Sequence, residues 1–262
     1  MNYSPLSKNH RKWIRSLHQK KHRQEEKAFI AEGRNALEAA TRMTLHPVRE
    51  VIIDKDYEAC IEKHFSRHHV SYNGPVYICS KEEMESISTE ETPQGVLFIC
   101  DRTELSIEKL ETKSDTTLLY MEKISDPGNL GTIMRTAAWF GIKQIILGPL
   151  CVDPFNTKVI RSSAGTIFNM EIYCPVDPER LFQFAQKKRY TMIAAIPDDG
   201  TPINHWRKKR KNIIMLGHET EGLSGKLIEK ADQRISITGH GSVESLNLAI
   251  AAAIILYEIA GK

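Results

Sequence analysis

No run of apolar residues in this chain approaches the roughly 20 that a membrane-spanning helix requires. No secretory leader stands before its cysteines. Cysteine itself is sparse: Cys60, Cys79, Cys100, Cys151 and Cys174 are scattered, with no C-x-x-C pair. They read as reduced, mostly buried thiols of a cytoplasmic protein. Metal-ligand spacing is as scarce, for His18 and His22 lie one helical turn apart without a third ligand nearby, so no metal site is expected. Nucleotide signatures are missing too. There is no G-x-x-x-x-G-K-[ST], and Gly239-His240-Gly241-Ser242-Val243-Glu244 starts like a dinucleotide fingerprint but puts a carboxylate where the third Gly belongs. A carboxylate there repels a pyrophosphate, which argues against an NAD-dependent dehydrogenase. Internal repeats and low-complexity tracts are absent.

What is present suits a globular protein: 262 residues, 41% hydrophobic and 26% charged, enough for two modest domains with real cores. The net charge is only +3, yet its distribution is uneven. Lys8, Arg11, Lys12, Arg15, Lys20, Lys21, Arg23 and Lys27 crowd the first 27 residues, and residues 207–211 are all basic. Basic patches on a nearly neutral chain point to a polyanion partner.

Residues 1–27 read as a basic helical extension with Trp13, Ile14 and Leu17 as its apolar stripe. In residues 28–100, Phe29, Ile30, Ala36, Leu37 and Ala40 give helical spacing. Strand-like runs follow at 48–53, 76–79 and 96–100, with helix-like stretches at 57–68 and 81–87. That alternation predicts a small α/β domain. His64, His68 and His69 read as surface residues. Residues 101–115 are polar, lack Gly and Pro, and read as a linker with some helical tendency.

From residue 116 to 262 a second α/β domain is expected. Runs at 116–121, 144–147, 168–173, 191–195, 213–216 and 235–237 read as strands, and helices are expected after Asp126, over 178–188 and near the C-terminus. Such β-α alternation predicts a parallel sheet covered on both faces. Three polar loops follow three of these strands: 126–131, 217–222 and 239–247. Loops at the carboxyl ends of parallel strands converge on one crevice, and glycines there let backbone amides approach a ligand. The crevice would gather Asn129, Arg135, Glu219, Ser245 and Asn247. Each also has a structural reading, as turn residue, surface cation or helix cap.

The motifs in these loops resemble those of the SpoU-type ribose methyltransferases of the SPOUT superfamily. N-x-x-x-x-x-R after D-P appears as Asp126-Pro127-Gly128-Asn129 through Arg135; G-x-E-x-x-G-L as Gly217-His218-Glu219-Thr220-Glu221-Gly222-Leu223; and the third motif aligns with residues 237–247, ending Ser245-Leu246-Asn247. Arg161-Ser162-Ser163-Ala164-Gly165 is similar to a further family stretch. Phe29-Ile30-Ala31-Glu32-Gly33 and Thr92-Pro93-Gln94-Gly95-Val96 resemble the family's RNA substrate-binding domain. One departure stands out: Thr238 and Gly239 occupy positions where Pro and Met are usual.

The resemblance implies methyl transfer from S-adenosylmethionine to a ribose 2′-hydroxyl of structured RNA, rRNA sooner than tRNA. It further implies a deep trefoil knot and a homodimer with both cofactor sites near the interface. It assigns Asn129, Arg135, Glu219, Ser245 and Asn247 to catalysis, with Arg135 activating the hydroxyl, and Leu216, Gly217, Gly222, Ile237 and Leu246 to the cofactor. No metal or membrane is implied. A non-catalytic RNA-binding protein on the same fold is the alternative, and the intact set of polar motif residues argues against it.

Overall fold

The computed structural model describes residues 3–67, 72–111, 114–239, 241–242 and 245–261. His68, His69, His240, Val243, Glu244 and the side chain of His64 fall outside the described residues. Contacts divide the chain into two units, Met1–Thr103 with Asp153–Asn169, and Glu104–Val152 with Met170–Lys262.

The first unit runs β1 (Tyr3–Pro5), α1 (Lys8–Ser16), α2 (Lys20–Glu25), β2 (Ala28–Glu32), α3 (Arg34–Thr41), β3 (Val48–Asp54), α4 (Lys55–Arg67), β4 (Val76–Cys79), α5 (Lys81–Ile87) and β5 (Val96–Asp101). Its sheet has the order β1-β4-β3-β5-β2. The first three of these strands are parallel, while β5 runs antiparallel to both β3 and β2. Alternation along each strand sends residues to opposite faces. One face packs Ile30, Leu97 and Ile99 with Ile14, Leu17, Met84 and Ile87. The other carries an aromatic group in which Phe29 meets Phe155 at 4.8 Å and Phe98 meets Phe168 at 5.9 Å.

Two details depart from the sequence reading. The basic extension is integral to this unit, since Ile14 and Leu17 are fully buried and β1 adds a strand beside β4. Phe29 and Ile30 lie in a strand rather than a helix. Helical spacing holds only beyond Gly33, whose φ of 96° turns the chain between β2 and α3 and is a conformation that glycine adopts freely.

The second unit contains β6 (Thr116–Met121), α6 (Pro127–Trp139) and β7 (Gln144–Leu147); α7 (Thr157–Ser162) belongs by contact to the first unit. There follow β8 (Glu171–Tyr173), α8 (Pro178–Lys188), β9 (Thr191–Ala195), β10 (Thr201–Pro202), β11 (Lys211–Leu216), α9 (Gly225–Lys230), β12 (Gln233–Ser236) and α10 (Leu248–Ala260). Every pairing in this sheet, of order β10-β12-β9-β11-β6-β7-β8, is parallel. Its central strands are apolar on both faces, as a sheet covered on both sides demands. Ile107 and Leu110, from the polar linker, are buried in this unit's core beside Leu118 and Met192. The strand expected at 168–173 is shorter because residues 166–169 form a 3-10 turn. Among the described residues no helix is long and apolar enough to cross a membrane.

Candidate active site

The carboxyl ends of β6, β11 and β12 release three loops, and local chemistry fixes each one. After β6, Asp126 caps α6 by accepting the Asn129 amide at 2.7 Å, with Pro127 at the first helical turn. After β11 the chain closes on itself: the His218 amide donates to the Gly222 carbonyl and the Gly222 amide to the His218 carbonyl, both at 3.0 Å. Gly222 has φ +68°, and a Cβ on Gly217 would overlap the backbone of Gly222 and Leu223. His218 Nδ1 accepts the amides of Thr220 and Glu221, each at 3.2 Å, which leaves its proton on Nε2. Ahead of α10, Asn247 caps the helix through Oδ1, which accepts the Ala249 amide at 2.9 Å and the Ile250 amide at 3.3 Å.

One relay of side-chain amides joins the loops. Asn247 Nδ2 donates to Asn129 Oδ1 at 3.1 Å, and Asn129 Nδ2 donates to Glu219 Oε1 at 2.9 Å. The other carboxylate oxygen, Glu219 Oε2, is buried and has no hydrogen-bond partner among the described residues, with His218 Nε2 at 3.7 Å. A buried carboxylate oxygen left unmatched is expensive unless something arrives to donate to it.

The structure thus brings together Asn129, Glu219 and Asn247. Ser245 is exposed. Arg135 is exposed too, and has no polar partner among the described residues. Six positions beyond Asn129, it sits about 240° around α6 from that residue. It shares its face with Thr132 and Trp139, and Trp139 is 84% exposed. Of the residues assigned to a cofactor, Leu216 and Gly217 are buried at the end of β11, Ile237 is half-buried after β12, and Leu246 stands 47% exposed. Among the described residues nothing lies within 4 Å of where a Cβ on Gly239 would stand.

Glu122 is a residue the sequence reading misses. It is buried at the carboxyl end of β6, and its Oε2 accepts the Ser224 amide at 2.7 Å, tying the first loop to the end of the second. The available signal is a carboxylate directly after the apolar run TTLLYM. Lys123 adds a second tie, to Glu221 at 3.1 Å.

A separate groove lies within the first unit, lined by Glu32, Gly33, Asn35, Gln94, Arg161 and Gly165 among others. Three stretches singled out in the sequence meet in it. Glu32 accepts the amide and hydroxyl of Thr89, both at 3.0 Å, while Arg161 pairs with Glu90 at 2.5 Å.

With this geometry in view, comparison with known proteins is decisive. Residues 116–257 match the model of the SpoU rRNA Methylase family, and residues 8–97 match an MRM3-like substrate binding domain. The chain belongs to the SpoU rRNA methylase family. A curated relative of this SpoU protein, the 23S rRNA (guanosine(2553)-2′-O)-methyltransferase RlmP of Bacillus subtilis (strain 168), is 29% identical over 253 residues, which covers 94% of each chain. An AdoMet-bound rRNA methyltransferase from Sinorhizobium meliloti superposes with a TM-score of 0.86 at 27% identity, over 98% of this chain and 97% of that one. The SpoU methyltransferase AviRb from Streptomyces viridochromogenes, in complex with AdoMet, shares the fold with a TM-score of 0.87 at 21% identity, covering 97% and 98% of the two chains.

Proposed function

We propose that this SpoU protein is an S-adenosylmethionine-dependent RNA methyltransferase that acts on a ribose 2′-hydroxyl of rRNA, as a homodimer in the cytoplasm. The observation that carries the reading is the Asn247–Asn129–Glu219 relay, which holds three loops around a buried, unmatched carboxylate oxygen. The names of the Bacillus and Sinorhizobium relatives support rRNA over tRNA. The division of labour we propose gives RNA binding to residues 28–100, aided by 1–27, and methyl transfer to 116–262, with 101–115 between them. The deep knot belongs to the same proposal, supported by membership of the SpoU rRNA methylase family.

The residues present fit a sulfonium donor. Leu216, Gly217 and Gly222 offer backbone groups from one loop, Ile237 from the next, and Leu246 an accessible apolar side chain. When bound, S-adenosylmethionine supplies an activated methyl group. The protein's own task is then to place the hydroxyl and ease loss of its proton. Glu219 Oε2, which has no hydrogen-bond partner among the described residues, accepts from the ribose, and Asn129 holds that carboxylate in place. Ser245 and Asn247 shape the ribose side of the pocket. Arg135 is no literal base, because a guanidinium keeps its proton to a pKa above about 12. Its role is to fix an RNA phosphate and stabilise developing alkoxide charge.

The dimer explains why Arg135 faces solvent. Trp139 on α6 and Ile250 and Tyr257 on α10 are exposed apolar side chains on two helices that pack together. A second copy covering them places Arg135 of one protomer against the pocket of its partner. The test is calorimetry with S-adenosylmethionine, followed by mapping of 2′-O-methyl sites in total RNA from a deletion strain and its parent. Binding together with loss of a methylated rRNA ribose supports the reading; binding without any lost site means a non-catalytic protein.

A further inference from the structure

The relay occupies the carboxyl ends of the parallel strands, whereas a different chemistry is concentrated at their amino ends. Lys187, Lys188 and Arg189 close α8 just before β9, and Arg207, Lys208, Lys209, Arg210 and Lys211 lead into β11. These runs are distant in sequence but adjacent in the fold. The register pairs Asn212 with Thr191, and Lys211 Nζ donates to the Lys188 carbonyl at 3.3 Å while lying 5.5 Å from the centre of the Tyr190 ring.

The basic loop is held in place. Asn212, fully buried ahead of the apolar residues 213–216 of β11, accepts the Lys209 amide at 3.1 Å and donates to the Lys209 carbonyl at 2.6 Å. Trp206 is buried and donates to Gln233 at 2.7 Å, anchoring the loop's other end. A buried polar side chain spent on shaping a loop of cations calls for an explanation beyond solvation. Neutralisation of the cluster is partial: Lys208 donates to the Ile259 carbonyl at 3.2 Å in a groove it shares with Glu111 and Asp115, and Arg210 meets Asp115 at 3.4 Å with both side chains well exposed, a pairing of little strength. Asp232, the nearby carboxylate at the start of β12, is occupied by the Met192 amide at 2.7 Å. Lys187, Arg189, Arg207 and Lys209 are exposed and have no carboxylate partner among the described residues.

We infer that this cluster is a second RNA-binding surface, which grips the phosphates of a double-helical segment away from the methylated ribose. The six residues of β11 put about 20 Å between it and the relay, so one substrate nucleotide cannot touch both. A folded RNA spans that distance easily. The inference rests on the RNA reading above, and its test separates the two.

In the full chain, Lys187, Arg189, Arg207 and Lys209 are changed together to Gln, and binding of a double-helical rRNA fragment is measured from about 50 to about 300 mM KCl. The expected result is an affinity loss of about tenfold or more at low salt, with the slope of log K against log [salt] reduced by about 3.6. KM for RNA rises accordingly. S-adenosylmethionine binding and kcat at saturating RNA stay at wild-type values, which shows the fold intact, and the charge-conserving R189K/R207K variant keeps wild-type affinity. An unchanged affinity and slope overturns the inference, as does a loss confined to binding of phosphatidylserine vesicles. If the wild-type chain methylates no RNA yet grips duplex RNA through these cations, the enzymatic reading fails and the surface stands.

Discussion

Arg135 and Gly239 are the residues at which the proposed chemistry is most exposed to test. Lysine keeps the positive charge of Arg135 but not the planar fork that clamps a phosphate and an oxygen together. We expect Arg135→Lys to lower kcat by about 100-fold or more, the usual loss when one stabilising donor is removed, while calorimetry shows S-adenosylmethionine binding unchanged. A variant with near-wild-type kcat rejects the assignment. At Gly239 the backbone is not left-handed, and no described residue crowds a Cβ there. Gly239→Met should therefore fold normally and restore apolar cover to the third loop. About 1 kcal/mol of new contact tightens S-adenosylmethionine binding about fivefold, readable in the same titration. In the sequence the members of the relay stand out only together, as polar residues of three converging loops that match the family's motifs, since locally Asn129 reads as a turn residue and Asn247 as a helix-entry hydrogen bonder. Glu122 does not stand out, since its partner amide is 102 positions away at Ser224 and the one local signal, a carboxylate closing the run TTLLYM, does not point to that partner.

Elements show where period and composition mislead. Phe29 and Ile30 fit a helix by spacing, but burial of β2 on both faces overrides that period. The extension looks like a free basic arm because its cations outnumber Ile14 and Leu17, although those two decide where it packs. Ile107 and Leu110 are hidden in the same way in a charged linker. The packing around His46 gives this scale its prediction. Its ring is buried edge-on against Phe29 at 5.5 Å and Phe155 at 5.3 Å, and Nδ1 accepts the Thr103 amide at 3.1 Å. Burial, aided by the Arg102 charge, lowers its pKa from 6.5 to about 4. The unfolded chain takes up this proton near pH 6.5, the folded one only near pH 4, so stability present at pH 7 is lost as the pH falls through that window. The loss amounts to about 3 kcal/mol by pH 4. His46→Asn keeps an acceptor for Thr103 without the titration, and urea unfolding should then show a flatter pH profile between pH 7 and pH 4. An unaltered profile assigns the acid sensitivity elsewhere.

At the scale of the whole molecule, sequence could place the loops on one crevice but not the face of α6 that carries Arg135. Helical geometry turns that residue away from Asn129 and aligns it with Trp139, and solvent exposure of both is a property of the fold. If a second copy covers this face, each pocket is completed by the guanidinium of its partner, and the two parts of one active site come from different chains. Subunit mixing then discriminates. Arg135→Ala retains an intact pocket but supplies no guanidinium, and Glu219→Ala supplies the guanidinium but has a damaged pocket. Each homodimer should be inactive. Unfolding and refolding an equal mixture makes half the dimers hybrid, each with one complete site of two, so methyl transfer should return to about a quarter of the wild-type rate. Trp139→Glu removes the apolar centre of the proposed interface, and light scattering should find that variant monomeric and inactive even at saturating S-adenosylmethionine. A mixture that stays inactive although hybrids form places Arg135 in service of its own protomer, and its path to Glu219 would then have to run through a rearrangement of α6.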